Sequence, residues 1–261
     1  MGNAKFCYQN YIVEDDTTIT VSSGGADAFY PVSNLKHPHA LKTFRSSTSA
    51  TSVLVLDMQA AVTCDTFLAV GSSIGALDLT AVTIEANATN VWTAPAFSTT
   101  VTDFDYVENF ATKVFSAAQT YRYWRLTLVG TSGYVEVGKL FLGSAVQMTS
   151  NNITYGFEFG RRDLSDVQKG RYGQRFIDEI TTVKEFKGAI GLMTQAEQTQ
   201  IQAVWDYCGT SKPLWFVPDP DETIIGNKDR LSGYYYFKDQ PQFTNDFFSL
   251  YSTEFQLEEA K

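Results

Sequence analysis

The run Tyr121-Arg-Tyr-Trp-Arg-Leu-Thr-Leu-Val129 narrows the fold of this chain more than any other stretch. Trp124, Leu126 and Leu128 fall on one face of an extended segment, and Arg125 and Thr127 fall on the other. That period of two belongs to a strand with one face in a core and one in water. Aromatic and branched side chains at this density also suit a pleated surface. A Gly130-Thr-Ser-Gly133 turn and a second apolar run, Tyr134 to Leu142, follow directly. The sequence therefore predicts a β-hairpin between these two runs.

Upstream, short runs of β-forming residues recur at Tyr8 to Val13, Thr18 to Ser22, Thr51 to Leu56, Thr66 to Val70, Ala81 to Ala86 and Lys113 to Ser116. Gly, Ser, Thr, Asp and Pro separate them, and no helical pattern of ten residues intervenes. Strands at this spacing predict an antiparallel β-sandwich over residues 1–148. The pattern weakens between Gly143 and Asn152, which places a domain boundary near residue 149. Residues 149–261 read as a smaller α+β domain with one principal helix, Thr194 to Cys208. Thr194-Gln-Ala-Glu197 has the form of a capping box, and Ile201, Val204, Trp205 and Cys208 repeat at helical spacing. Gly209 stands where a glycine ends a helix.

Charge and motifs exclude several functions. The formal charge of −9 repels nucleic acid phosphates. No run approaches the roughly 18 apolar residues of a membrane span, and the N-terminus lacks the apolar stretch of a secretory signal, so synthesis in the cytoplasm is expected. Cys7, Cys64 and Cys208 are odd in number and widely spaced, which predicts buried reduced thiols rather than a zinc site or a disulfide framework. Phosphate-binding glycine motifs and the nucleophile elbow are both missing, so no cofactor and no enzymatic activity are expected. His37-Pro-His39 holds both histidines and reads as a loop.

Three groups of residues remain as candidates. Trp92, Tyr106 and Tyr134, with Tyr121, offer flat apolar faces with wet edges of the kind that stack on sugar rings. Asp103 and Asp105 are the calcium candidates, two loop carboxylates one residue apart. Arg161, Arg162, Lys169, Arg171 and Arg175 outnumber Asp163 and Asp166 in one glycine-punctuated segment of an otherwise acidic chain. That segment reads as an extended loop or hairpin, suited to contact with an acidic neighbouring subunit.

The order Tyr30-Pro-Val-Ser-Asn-Leu35, Thr43-Phe-Arg-Ser-Ser47, Val53-Leu-Val-Leu-Asp57, Asp65-Thr-Phe-Leu-Ala69 and Tyr123-Trp-Arg-Leu-Thr-Leu128 resembles the galactose-binding-like (discoidin-type) jelly-roll sandwich of virion proteins in tailed bacteriophages. Gly160-Arg-Arg162, Gly170-Arg-Tyr-Gly173, the helix, Pro213-Leu-Trp-Phe216 and Glu254-Phe-Gln-Leu-Glu258 are similar to segments of minor or distal tail proteins. The resemblance implies a structural protein of the tail tip or baseplate, located in the virion and assembled as a homo-oligomeric ring. Its implied partners are other virion tail proteins, with a host-surface glycan as a further contact. The alternative is a lectin-like, carbohydrate-binding recognition module.

Overall fold

The computed structural model describes residues 3–37, 39, 41–47, 49–71, 78–101, 104–105, 110–131, 133–149, 152–169, 171–172, 174–219 and 231–260. The chain is mainly β and antiparallel, with a β-sandwich and, among the described residues, one α-helix. It forms two compact units. One is Cys7–Ala145; the other joins the N-terminal segment up to Phe6 to the chain from Val146 onward.

The strands up to the boundary are β1 (Lys5–Asn10), β2 (Thr18–Ser23), β3 (Phe44–Arg45), β4 (Thr51–Val70), β5 (Ala81–Asn87), β6 (Phe97–Val101), β7 (Phe104–Asp105), β8 (Phe110–Val129), β9 (Glu136–Val137) and β10 (Lys139–Gln147). The sandwich is organised by β4. Its first half pairs with β2 and its last five residues pair with β10, from Thr66↔Gly143 to Val70↔Lys139. Along its other edge β4 follows β8 from Thr51↔Val129 to Val70↔Phe110. Beyond β8 lie β5 and then β6, while β3 and β9 form a separate short ladder.

Segments that the sequence presents as separate short strands thus belong to two strands of 20 residues each, β4 and β8. Register shifts between Asp57 and Val62, and again between Cys64 and Thr66, bend the pair, the usual way in which a strand passes from one layer of a sandwich to the other. Gln59 takes the left-handed conformation in the first bulge at φ 60°, and its amide donates to Asp57 Oδ1 at 2.9 Å. The same carboxylate takes two bonds from Arg122, at 2.7 and 2.9 Å, and the Arg122 hydrogen bond holds its pKa below the ordinary value.

The alternation read from sequence is present: Trp124, Leu126 and Leu128 are fully buried, packed with Leu54, Leu56, Val82 and Ile84. The predicted hairpin is not. The two runs are both strands, but β10 pairs with β4 and β9 pairs with β3, so β4 lies between β8 and β10. A two-residue ladder and Gly138, whose amide donates to Val70 O at 2.9 Å, carry the chain past the edge where a hairpin partner would sit.

The other unit contains β11 (Glu158–Asp163), β12 (Asp166–Lys169), β13 (Arg175–Asp178), β14 (Thr182–Thr194), α1 (Gln195–Cys208), β15 (Leu214–Val217), β16 (Gly233–Phe237), β17 (Gln242–Phe247) and β18 (Leu250–Glu259). The sheet order is β11-β14-β18-β16-β15, with β17 also on β18. The first residues fold here: the Ala4 amide donates to Asn152 Oδ1, its carbonyl accepts from Met148, and Phe6 packs on Phe216 and Phe255. Helix α1 starts where the capping box places it. Thr194 is the N-cap, and Glu197 returns the bond to its backbone. Ile201, Val204 and Cys208 are buried, and Trp205 meets Phe237 edge to face at 5.6 Å.

Candidate functional site

Ladder β3–β9 supplies the most developed polar arrangement on the Cys7–Ala145 unit. Phe44 lies opposite Val137 and both are fully buried, so strand alternation turns the next pair, Arg45 and Glu136, outward. Bonds to the neighbouring loop fix Arg45 on both backbone sides: its amide donates to Tyr30 O at 3.0 Å, and its carbonyl accepts from Asp27 at 2.9 Å. On the other flank, Ser46 and Val135 exchange bonds of 2.9 and 2.8 Å, which positions Tyr134.

These restraints stack the Arg45 guanidinium between two rings, 4.3 Å from the Tyr30 centroid and 4.6 Å from that of Tyr134. Nε and Nη2 of Arg45 both donate to one oxygen of Glu136, Oε2, at 3.0 and 2.7 Å. That hydrogen bond raises the pKa of Arg45 above its ordinary value. Among the described residues no other hydrogen bond to either side chain is found, so Nη1 of Arg45, on the far side of the guanidinium from the carboxylate, and Oε1 of Glu136 are left as an unused donor and an unused acceptor. Both side chains keep about a quarter of their surface in solvent, at 28% and 22%. Phe29, just before Tyr30, is 87% exposed.

The predicted glycan-contact residues do not converge. Trp92 sits in the β5–β6 connection. One face of its ring is taken by Arg125 at 4.8 Å, and its indole N–H donates to Asn90. Arg125 is itself paired with Glu85 at 2.6 Å. The β8–β9 connection holding Tyr134 lies at the Ala81 end of β5, where Ala81 pairs with Val129, and Trp92 follows the Asn87 end. Seven strand residues at about 3.3 Å each separate the two by roughly 20 Å along β5. Tyr106 and Asp103 lie outside the described residues, and Asp105 is described only by its backbone, which pairs with Phe110. Among the described residues, no three His, Cys, Asp or Glu side chains gather as a metal would require.

The basic segment divides. Arg162 is engaged within its own unit, bonded to Glu258 and 3.4 Å from Glu185, and Arg161 is engaged as well. Lys169, Arg171 and Arg175 are exposed, with no partner among the described residues. The three cysteines are buried thiols, and burial pushes the Cys208 thiol up to about 12 and that of Cys64 higher. Neither supplies a thiolate near neutral pH.

Arg45, Tyr30 and Glu136 were not singled out as site residues from the sequence. The signal available was the inward Phe44 beside the outward Arg45; its partner lies 91 residues away.

No family model matches this chain and no curated protein matches it. Solved structures match about half of its length. A family 32 carbohydrate-binding module from a family 31 glycoside hydrolase of Clostridium perfringens is 17% identical, covering 52% of this chain and 99% of that one, with a TM-score of 0.41. The family 32 module of C. perfringens NanJ, solved in complex with galactose, is 13% identical over 54% of this chain and 99% of that one, at 0.43. A Ruminococcus gnavus GH29 fucosidase, solved with fucose, is 10% identical over 53% of this chain and 27% of that one, at 0.44. Likeness at this level leaves the ligand to be argued from the residues.

Proposed function

We propose that the Cys7–Ala145 unit is a non-catalytic recognition module for a neutral saccharide, bound at Arg45, Glu136 and Tyr134. The observation that carries this reading is the partly exposed Arg45–Glu136 pair, each member with an unused bonding atom, its guanidinium stacked on Tyr30 and Tyr134. Saccharide hydroxyls suit both, since one can accept from Nη1 and another can donate to Oε1. The exposed part of the Tyr134 ring suits the apolar face of a pyranose. Arg45 and Glu136 cancel in charge and the chain carries −9, so an anionic ligand finds no net attraction.

A glycan array followed by titration calorimetry on the full chain tests this. Tyr134→Ala and Arg45→Gln are expected to weaken binding by about tenfold or more while the circular dichroism stays unchanged, since hydrogen bonds to charged groups are involved. Trp92→Ala should bind like the parent. An array without saccharide binding, or full affinity in both variants, rejects the reading.

A second reading is the structural role in a bacteriophage tail that the sequence resemblance implies. What favours it is the apolar surface of the other unit, where Tyr155, Tyr172, Phe176, Ile177, Ile180 and Phe248 are each more than half exposed. Subunits that assemble bury such surface. The chain at fixed copy number in purified virions, measured by mass spectrometry, supports this role and the virion location; its absence removes both.

A further inference from the structure

Strand β13 reads Arg175-Phe-Ile-Asp178. Paired antiparallel with a second copy of itself in centred register, it sets Arg175 opposite Asp178 at both ends and Phe176 opposite Ile177 in both central positions. Opposite charges and an aromatic facing a β-branched residue are the pairs that stabilise adjacent strands. The strand is complementary to itself.

Its surroundings leave that complementarity unused. β12 and β13 form a two-stranded sheet of their own, pairing from Asp166↔Asp178 to Lys169↔Arg175. All eight of their residues are exposed, with Phe176 at 62% and Ile177 at 56%. Among the described residues no strand pairs with the other edge of β13, and neither Arg175 nor Asp178 has a partner. A two-stranded ribbon without a backing layer is only marginally stable in water, and an apolar open edge is a template for another strand.

We propose that two copies of this chain join through antiparallel β13–β13 pairing about a two-fold axis, forming one four-stranded sheet. A two-fold contact closes on itself, so it ends at the dimer. The β12 edge, Asp166-Val-Gln-Lys169, has the same charge symmetry but sets Val167 opposite Gln168, which makes it the poorer edge. The inference requires neither functional reading above.

Light scattering on the full chain at about 100 µM, above the dissociation constant expected of a small interface, is expected to give twice the 29.1 kDa of one chain. Arg175→Glu alone and Asp178→Arg alone each place like charges opposite one another twice and should weaken the dimer at least about tenfold. An equimolar mixture of the two variants restores both attractive pairs and should again give the doubled mass. Lys169→Glu should leave the mass unchanged. Melting curves guard against misfolding, since every altered position is exposed. A monomeric parent chain, dimers that survive Arg175→Glu, a mixture that stays monomeric, or dissociation by Lys169→Glu would each overturn the proposal.

Discussion

Lys139 is the residue whose chemistry departs most from its surroundings. Its side chain is 3% exposed, and its ammonium donates to Leu35 O at 3.2 Å, at the end of the short 3-10 helix Val32–Lys36. Burial lowers its pKa from 10.5 to about 8. Between those values the unfolded chain holds the proton and the folded chain does not, so stability rises as pH climbs from 8 toward 10.5. Below pH 8 the folded state carries the whole burden of a buried charge, about 3 kcal/mol for a shift of this size. Lys139→Met should therefore raise the urea midpoint at pH 7, and the gain over the parent should shrink above pH 10. A variant less stable than the parent at pH 7 would show that the Leu35 bond outweighs the desolvation.

At the scale of elements, Glu197 ties the start of α1 to a second segment of its unit. Oε2 accepts from the Thr194 amide and hydroxyl at 2.9 and 3.0 Å, and Oε1 accepts from the Thr149 amide and hydroxyl, both at 3.1 Å. Glu197 is 2% exposed, while Thr149 and Thr194 are themselves exposed, so water can take over part of these bonds when the carboxylate is removed. Glu197→Ala should destabilise this unit by about 2 kcal/mol, the range for charge-assisted bonds whose donors water partly re-satisfies. Glu197→Gln should recover part of the loss. Urea denaturation followed by Trp205 and Trp215 fluorescence reads the effect; a loss within the usual 0.5 kcal/mol of a surface change would mean the Thr149 bonds carry nothing.

For the whole molecule, the division of the chain is the governing fact. Residues up to Phe6 fold with the segment that begins at Val146. The Ala4 amide donating to Asn152 Oδ1, the Ala4 carbonyl accepting from Met148, and the rings of Phe216 and Phe255 around a Phe6 that is 1% exposed hold them there. Deleting residues 1–6 should thus lower the melting temperature of the C-terminal unit and raise amide exchange in α1. The exchange of β4 and β8 should change far less. Equal losses in both units would show that the two melt as one.

Local physics made part of this legible in advance. The alternation around Trp124 follows from the pleat, and the start of α1 follows from a capping box only four residues long; both are written in adjacent residues. The glycines around Lys169 and Arg175 likewise mark an extended loop or hairpin, and the pairing of β12 with β13 makes it the hairpin. The partner of each strand is not local: β10 pairs with β4 rather than with β8, and Arg45 meets Glu136, because burial of the whole core selects those registers. For the same reason sequence could name the aromatic residues but not assemble them. Tyr134 came to Arg45 and Tyr30, while Trp92 was left at the far end of β5. Composition and periodicity determined that this chain is a β protein with one capped helix. Only tertiary packing, which weighs side chains a hundred residues apart against one another, decided which strands are neighbours and that Arg45 and Glu136 meet at a partly exposed edge.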